Sequence, residues 1–278
     1  MSHRRRRDSA AFNAPVCPAY NCRVNFQGDK VERSHQHHER GAVHEHQEDH
    51  DWSDEAFVAD WIQRQEAHAS ERRPLFAKVR ALIPKGLAER FRYADLGAGP
   101  GDLDELILER FAAAHAVVID GSAAMLSRAG GRLARFGSRA ECVQADLSNR
   151  DWIERVSGLF DAVVAARAVH HVGGADRIRE FFAEVLGTLA PGGVFINLDY
   201  VRPSDPAFRQ LGAWAGTDPD AEFQIASPHM DLPSSVEEQL AWLREVGFAA
   251  AECVYREFQT VVVVGIRDTL DIPQEGAR

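Results

Sequence analysis

The chain has 278 residues, of which 45% are hydrophobic and 27% charged. That apolar share is ordinary for a globular protein and excludes wholesale disorder or a collagen-like repeat. The formal net charge of −10 argues against a general nucleic-acid-binding surface.

The total hides three regimes. Residues 1–34 carry +4, residues 35–71 carry −8, and the remaining residues carry −6. The basic tip holds the run Arg4–Arg7 and mixes Pro, Asn, Gly and Arg without a period. It is predicted to be a disordered tail, and with no apolar run behind the arginines no signal peptide is expected. Residues 35–50 are low in complexity, with histidines at 35, 37, 38, 44, 46 and 50. No helix or hairpin signal fixes their geometry, so the tract is read as a solvated spacer and no metal site is assigned. Cys142 and Cys253 lie in strand-like runs and are expected to be small core residues of a protein in a reducing cytoplasm. No apolar run approaches the length of a membrane span.

Order is expected from Ser53, read as an N-cap, with Phe57, Val58, Trp61 and Ile62 on one helical face. A second helix is predicted from about Pro74 to Leu82. From residue 91 short apolar runs alternate with helical stretches. The strands are placed at 92–96, 115–120, 140–145, 160–166 and 193–200, with helices near 102–112, 122–135, 150–156 and 175–189. Such alternation implies a parallel sheet covered by helices on both faces. The end differs. A helix over Val236–Val246 leads through Gly247 to two last strands with no helix between them, which predicts a closing hairpin. Residues 202–235, with Phe208, Trp214 and Phe223, form an insertion before that helix. Its aromatics either stack on a flat acceptor or form a satellite core.

Where the first strand meets its helix the sequence reads Asp95-Leu-Gly97-Ala-Gly99-Pro-Gly101. The glycines permit positive φ and close backbone approach to a ligand, and the following helix start favours an anionic group. A nicotinamide fingerprint would need its third glycine at 102, where Asp102 stands. Two acids fall at matching distances. Asp120 ends the second strand, where a carboxylate can bridge ribose hydroxyls; Asp146 follows the third, where it can take an adenine amine.

These pieces, together with Val118-Ile-Asp-Gly-Ser-Ala-Ala-Met-Leu126, Phe160–Val172 and Leu189-Ala-Pro-Gly-Gly-Val-Phe195, resemble the class I S-adenosylmethionine-dependent methyltransferases. The resemblance implies a Rossmann-like, seven-stranded, mostly parallel α/β sheet with a reversed last strand, helices on both faces, and N-terminal helices capping the cofactor. It implies a domain over 52–270 (cap over 52–86) between tails at 1–51 and 271–278. It implies S-adenosyl-L-methionine as cofactor, with Gly97, Gly99 and Gly101 along the methionine part and Asp95 orienting the ammonium. Asp120 then serves the ribose, while Asp146, the backbone of Leu147 and the side chain of Met125 serve the adenine. Arg72 or Arg73 can reach the cofactor carboxylate, or both are solvated.

A sulfonium methyl needs in-line alignment, and a base only if the acceptor must lose a proton. His170, His171 and Asp199, at the carboxyl ends of the fourth and fifth strands, are the candidate catalytic groups. One imidazole can instead hold the loop. Arg167 either binds an acidic acceptor or pairs with a carboxylate. The fourth strand is not followed by Asn/Asp-Pro-Pro-Tyr/Phe, so methylation of a DNA base is not expected. The body charge of −6 favours a small-molecule acceptor over nucleic acid. The alternatives are an RNA-directed enzyme of the same fold and a non-catalytic cofactor-binding module.

Overall fold

The computed structural model describes residues 54–67, 69–215 and 232–269, all within the compact unit Glu48–Arg278. The basic tip, the His-rich tract, Ser53 and residues 216–231 and 270–278 lie outside the described residues, as does the side chain of Trp214.

Seven strands form one sheet in the order β3-β2-β1-β4-β5-β7-β6. They are β1 (Phe91–Leu96), β2 (Ala114–Asp120), β3 (Ala140–Gln144), β4 (Phe160–Ala166), β5 (Leu189–Tyr200), β6 (Ala250–Glu257) and β7 (Thr260–Ile266). The first five are parallel. β7 runs antiparallel to both β5 and β6, which is the closing hairpin expected from the missing helix. The turn at the hairpin places Phe258 at φ 53°.

The helices are α1 (Glu55–Ala67), α2 (Ala69–Ala81), α3 (Asp102–Arg110), α4 (Ala123–Leu133), α5 (Asp151–Glu154), α6 (Ala175–Thr188), α7 (Pro206–Ala215) and α8 (Val236–Val246). They cover both faces. On one, Trp152, Phe181, Phe182, Phe195 and Leu243 pack together; on the other, Leu75, Val79, Tyr93, Leu103, Ile107 and Leu133 do. Burying side chains of this size contributes about 1.5–3 kcal/mol each. α8 starts with a capping box between Ser235 and Glu238 and stops, where the sequence reading ends it, at Gly247 in the left-handed region.

Asp54 accepts from the N–H groups of Ala56 and Phe57 at the start of α1. Three details differ from the sequence reading. α2 begins at Ala69 and carries Pro74 inside it, because buried Arg72, Leu75 and Val79 on either side hold the segment to the domain. Cys142 is exposed and Cys253 only half-buried. Both stand on the outermost strands, where one neighbour is missing and the faces are thinly covered. α7 was not anticipated. Its start is nonetheless written locally: Asp205 accepts from Ala207 N–H and Pro206 takes the first helical position. Gly212 of α7 lies so close to the Phe258 ring that an added Cβ would fall 2.4 Å from a ring carbon.

Candidate active site

The site gathers at the carboxyl ends of β1, β2, β4 and β5, beside the point where the strand order reverses between β1 and β4. A surface groove at the opposite end of β1 and β2 is lined by Arg90, His115 and Glu141 and shares no residue with it.

The glycine loop is fixed by backbone and by Asp120. Gly97 and Ala98 donate to the Ile119 carbonyl at 2.8 and 3.0 Å. Asp120 Oδ2 accepts from Gly99 N–H at 2.9 Å and Oδ1 from Ser122 N–H at 2.8 Å. One carboxylate thus ties the loop to the start of α4, and burial pushes its pKa up. Gly97, Gly99 and Gly101 all have positive φ (71°, 57° and 80°). They differ in surroundings. A Cβ on Gly97 would fall 2.4 Å from Ala168 Cβ, whereas one on Gly99 would meet nothing within 4 Å. Asp102, the residue that argued against a nicotinamide loop, pairs with Arg132 at 3.1 Å.

Asp95 is 1% exposed, and neither of its carboxylate oxygens receives a hydrogen bond from the described residues. An orphaned buried carboxylate beneath an open glycine cradle fits a ligand that carries an ammonium. Asp146 is exposed and accepts from Ser148 N–H, Ser148 Oγ and Asn149 Nδ2. The Leu147 carbonyl accepts from Arg177 at 3.0 Å, and the Leu147 side chain approaches the Gly97 Cβ position at 3.9 Å. Met125 is buried against Val58 and Ile62 of α1.

Asp199 is fully buried and accepts three hydrogen bonds. They come from His170 N–H at 3.0 Å, Tyr200 N–H at 2.9 Å and the His170 ring, whose Nδ1 lies 2.5 Å away. With Nδ1 so engaged, Nε2 is the ring nitrogen left for other partners. The His171 ring is exposed and sits 4.0 Å from that of His170, centroid to centroid. Arg167, at φ 59°, lays its guanidinium 4.9 Å from the Tyr200 ring centroid. Arg72 is 6% exposed, unlike exposed Arg73. Desolvation lowers the Arg72 pKa, with Asp102, Arg167, Arg132 and Tyr200 close enough to act on it. The structure therefore collects two guanidiniums, a phenol and a His–Asp pair around one corner.

Two site features were not read from the sequence. Arg177 grips buried Glu184 through both terminal nitrogens at 2.9 Å and donates to the carbonyls of Leu147, Ser148 and Asn149. Trp152 Nε1 completes Glu184 at 2.8 Å. Asp104 stands buried beneath the glycine loop, accepting from the Tyr93 hydroxyl at 3.0 Å. Its signal was available: Asp104, Ile107 and Leu108 share the apolar face of α3, a place where an acid is unusual. Among the described residues, no group of three or more His, Cys, Asp or Glu could hold a metal ion, and no helix is long and apolar enough to cross a membrane.

A methyltransferase-domain model matches residues 94–193. The trans-aconitate 2-methyltransferase of Methylobacterium nodulans is 31% identical over 192 residues, covering 68% of this chain and 69% of that protein. That of Paracidovorax citrulli is 37% identical over 124 residues, 44% of each chain, and that of an Acidovorax strain is 32% identical over 170 residues, 59% of this chain and 57% of that one. The chain thus spans about half the length of these last two curated relatives. A solved O-methyltransferase family protein from Burkholderia thailandensis superposes with a TM-score of 0.61 at 18% identity, covering 78% of this chain and 62% of that one; this likeness speaks for the fold. The chain belongs to the class I S-adenosylmethionine-dependent methyltransferase family, and S-adenosylmethionine is the cofactor of that family.

Proposed function

We propose that this chain transfers a methyl group from S-adenosylmethionine to an oxygen of a small carboxylate. The observation that carries the reading is the corner formed by Arg72, Arg167 and Tyr200. Arg72 and Arg167 lie near enough to act on one another, and a planar guanidinium suits a carboxylate in two-point contact. The ligands in question supply carboxylates: the methionine part has one and the acceptor at least one more. Arg72, near Asp102 at the start of α3, is assigned to the methionine carboxylate. Arg167, over Tyr200 and beside His170, is assigned to the acceptor. The relatives named for trans-aconitate, a tricarboxylate, favour the same class.

The same reading assigns the other cofactor contacts. Asp95 faces the ammonium, Gly99 lies along the cofactor chain, and Asp120 keeps acceptor capacity for the ribose while holding the loop. Asp146 and Leu147 take the adenine edge, and Met125, under α1, closes that side. When bound, S-adenosylmethionine supplies an activated methyl. A carboxylate acceptor is already an anion, so its oxygen has no proton to lose. The work left to the chain is orientation and exclusion of water. His170, fastened by buried Asp199 through Nδ1–H, is then a positioning group whose Nε2 can accept from a protonated group of the acceptor. The test is a panel of small mono-, di- and tricarboxylic acids incubated with methyl-labelled cofactor. Label in a carboxylate ester supports the reading. Firm binding of S-adenosylhomocysteine with no transfer to any acid rejects it.

A further inference from the structure

The buried acids beneath the glycine loop form a charge cluster that a single cofactor contact does not explain. Asp95 and Tyr93 lie two residues apart on β1 and so share one face of the sheet. That face packs on α3, where Asp104 is fully buried. The Tyr93 hydroxyl donates to Asp104 Oδ1 at 3.0 Å. Asp104 Oδ2 and both oxygens of Asp95 receive nothing from a donor among the described residues. The groups facing Asp95 are Asp104 on α3 and Asp120 on β2, both acids. Asp102 acts on Asp104, and Arg139 acts on Tyr93. Two ionised carboxylates have only acceptors, so contact between them is repulsive; with one proton it becomes a hydrogen bond.

We propose that Asp95 and Asp104 share one proton, that the pair so charged presents a single negative charge to the cofactor ammonium, and that Asp104 is thereby a positioning residue for S-adenosylmethionine. The inference rests on the reading that the ammonium sits at Asp95. With one shared proton the pair and the ammonium sum to zero, the arrangement a buried site tolerates best. A second proton makes the pair neutral and removes the attraction. Burial is the main reason the carboxyls hold protons so firmly; it raises Asp95 well above the ordinary carboxylate range and Asp104 to about 7. The pair gives up its protons as a unit. Below about pH 7 cofactor binding must therefore expel one proton from the pair to solvent, while near pH 8 none needs to leave.

The experiment is calorimetric titration of the full chain with S-adenosylhomocysteine at pH 6 and pH 8, in buffers of different ionisation enthalpy. The expected results are binding about tenfold weaker at pH 6, close to one proton released there, and close to none at pH 8. Asp104→Asn retains an acceptor for Tyr93 and offers Asp95 an amide donor. It should flatten the difference between the two pH values, where a residue that merely caps α3 would leave the wild-type slope unchanged. Equal affinity and no proton release at pH 6 in the wild type would overturn the shared proton, even if Asp104→Asn does not fold. Asp95→Asn separates the two layers. If it binds as the wild type does, the ammonium is not at Asp95 and the underlying reading fails; if it binds weakly at both pH values, that reading stands and the proton count decides the rest.

Discussion

Gly97 and Gly99 stand two residues apart in one loop, both at positive φ, yet alanine should do opposite things to them. At Gly97 the new Cβ falls 2.4 Å from Ala168 Cβ, with Leu147 Cδ1 at 3.9 Å. A left-handed alanine costs about 1–2 kcal/mol, and forcing a methyl into a filled space costs about 1–3 kcal/mol more. The lost chain freedom of the unfolded state returns about 0.5–1 kcal/mol. The net expectation is a loss of about 2–4 kcal/mol, or a fall in Tm of about 5–15 °C for a domain of this size. At Gly99 the Cβ meets nothing within 4 Å. Only the φ penalty remains there, about 1 kcal/mol and a few degrees. If that space is where the cofactor lies, the cost reappears on binding. Melting curves with and without S-adenosylhomocysteine separate the terms, because a ligand at one hundred times its Kd stabilises by about 2.7 kcal/mol. Gly97→Ala should melt early and keep its ligand shift; Gly99→Ala should melt almost normally and lose it. A full ligand shift in Gly99→Ala would refute the placement of the cofactor over this loop.

Further outcomes follow from the same geometry. His170→Gln should lower kcat by less than about tenfold on a carboxylate acceptor, since removing a true general base costs about 10²–10⁴; a single-turnover assay at pH 8 decides between them. Arg167→Met should raise the acceptor KM by about tenfold or more, the worth of a charge-assisted hydrogen bond, and leave the Kd for S-adenosylhomocysteine unchanged by calorimetry. Arg177→Leu leaves the buried Glu184 carboxylate without its main partner and should cost about 3–5 kcal/mol in urea unfolding. The acid pair makes a stability prediction for the ligand-free protein. Burial raises Asp104 from 3.8 to about 7, so its proton stabilises the fold below the unfolded pKa, and that contribution is lost as pH rises through about 7. Melting temperature should fall between pH 6 and pH 8, and Asp104→Asn should reduce that fall to the part that comes from Asp95 and exceed the wild type at pH 8.

The sheet was legible because its signals are local. Each parallel strand holds a short apolar run, and the first three end at or within two residues of Gly97, Asp120 and Asp146. The absence of a helix between β6 and β7 was enough to foresee the closing hairpin, while the reversed strand came from the family resemblance. What went unread depends on position in the assembled sheet. Cys142 sits in an apolar run like its neighbours, yet β3 is an edge strand and leaves it exposed. Pro74 looked like a helix start, but tertiary burial of Arg72 and Leu75 carries α2 past it.

The site divides along the same line. The glycine loop, Asp120 and Asp146 lie within a few residues of strand ends, so spacing alone brought them together. The Arg177–Glu184 grip joins α6 to the loop after β3, and no sequence spacing announces it. Its effect is nonetheless specific. Three consecutive carbonyls, Leu147 to Asn149, are fixed by one guanidinium whose own orientation is set by a fully packed carboxylate and Trp152. The Asp95–Asp104 pair is the counterpart on the other face. There β1 and α3 bring together two acids nine residues apart, and burial turns a repulsive pair into one whose charge depends on a proton. On the proposed placement of the cofactor, the adenine side of the loop is held by a buried ion pair, and the methionine side by a pair whose charge depends on a proton. Acidification should loosen cofactor binding from the methionine end, leaving the nucleoside contacts in place.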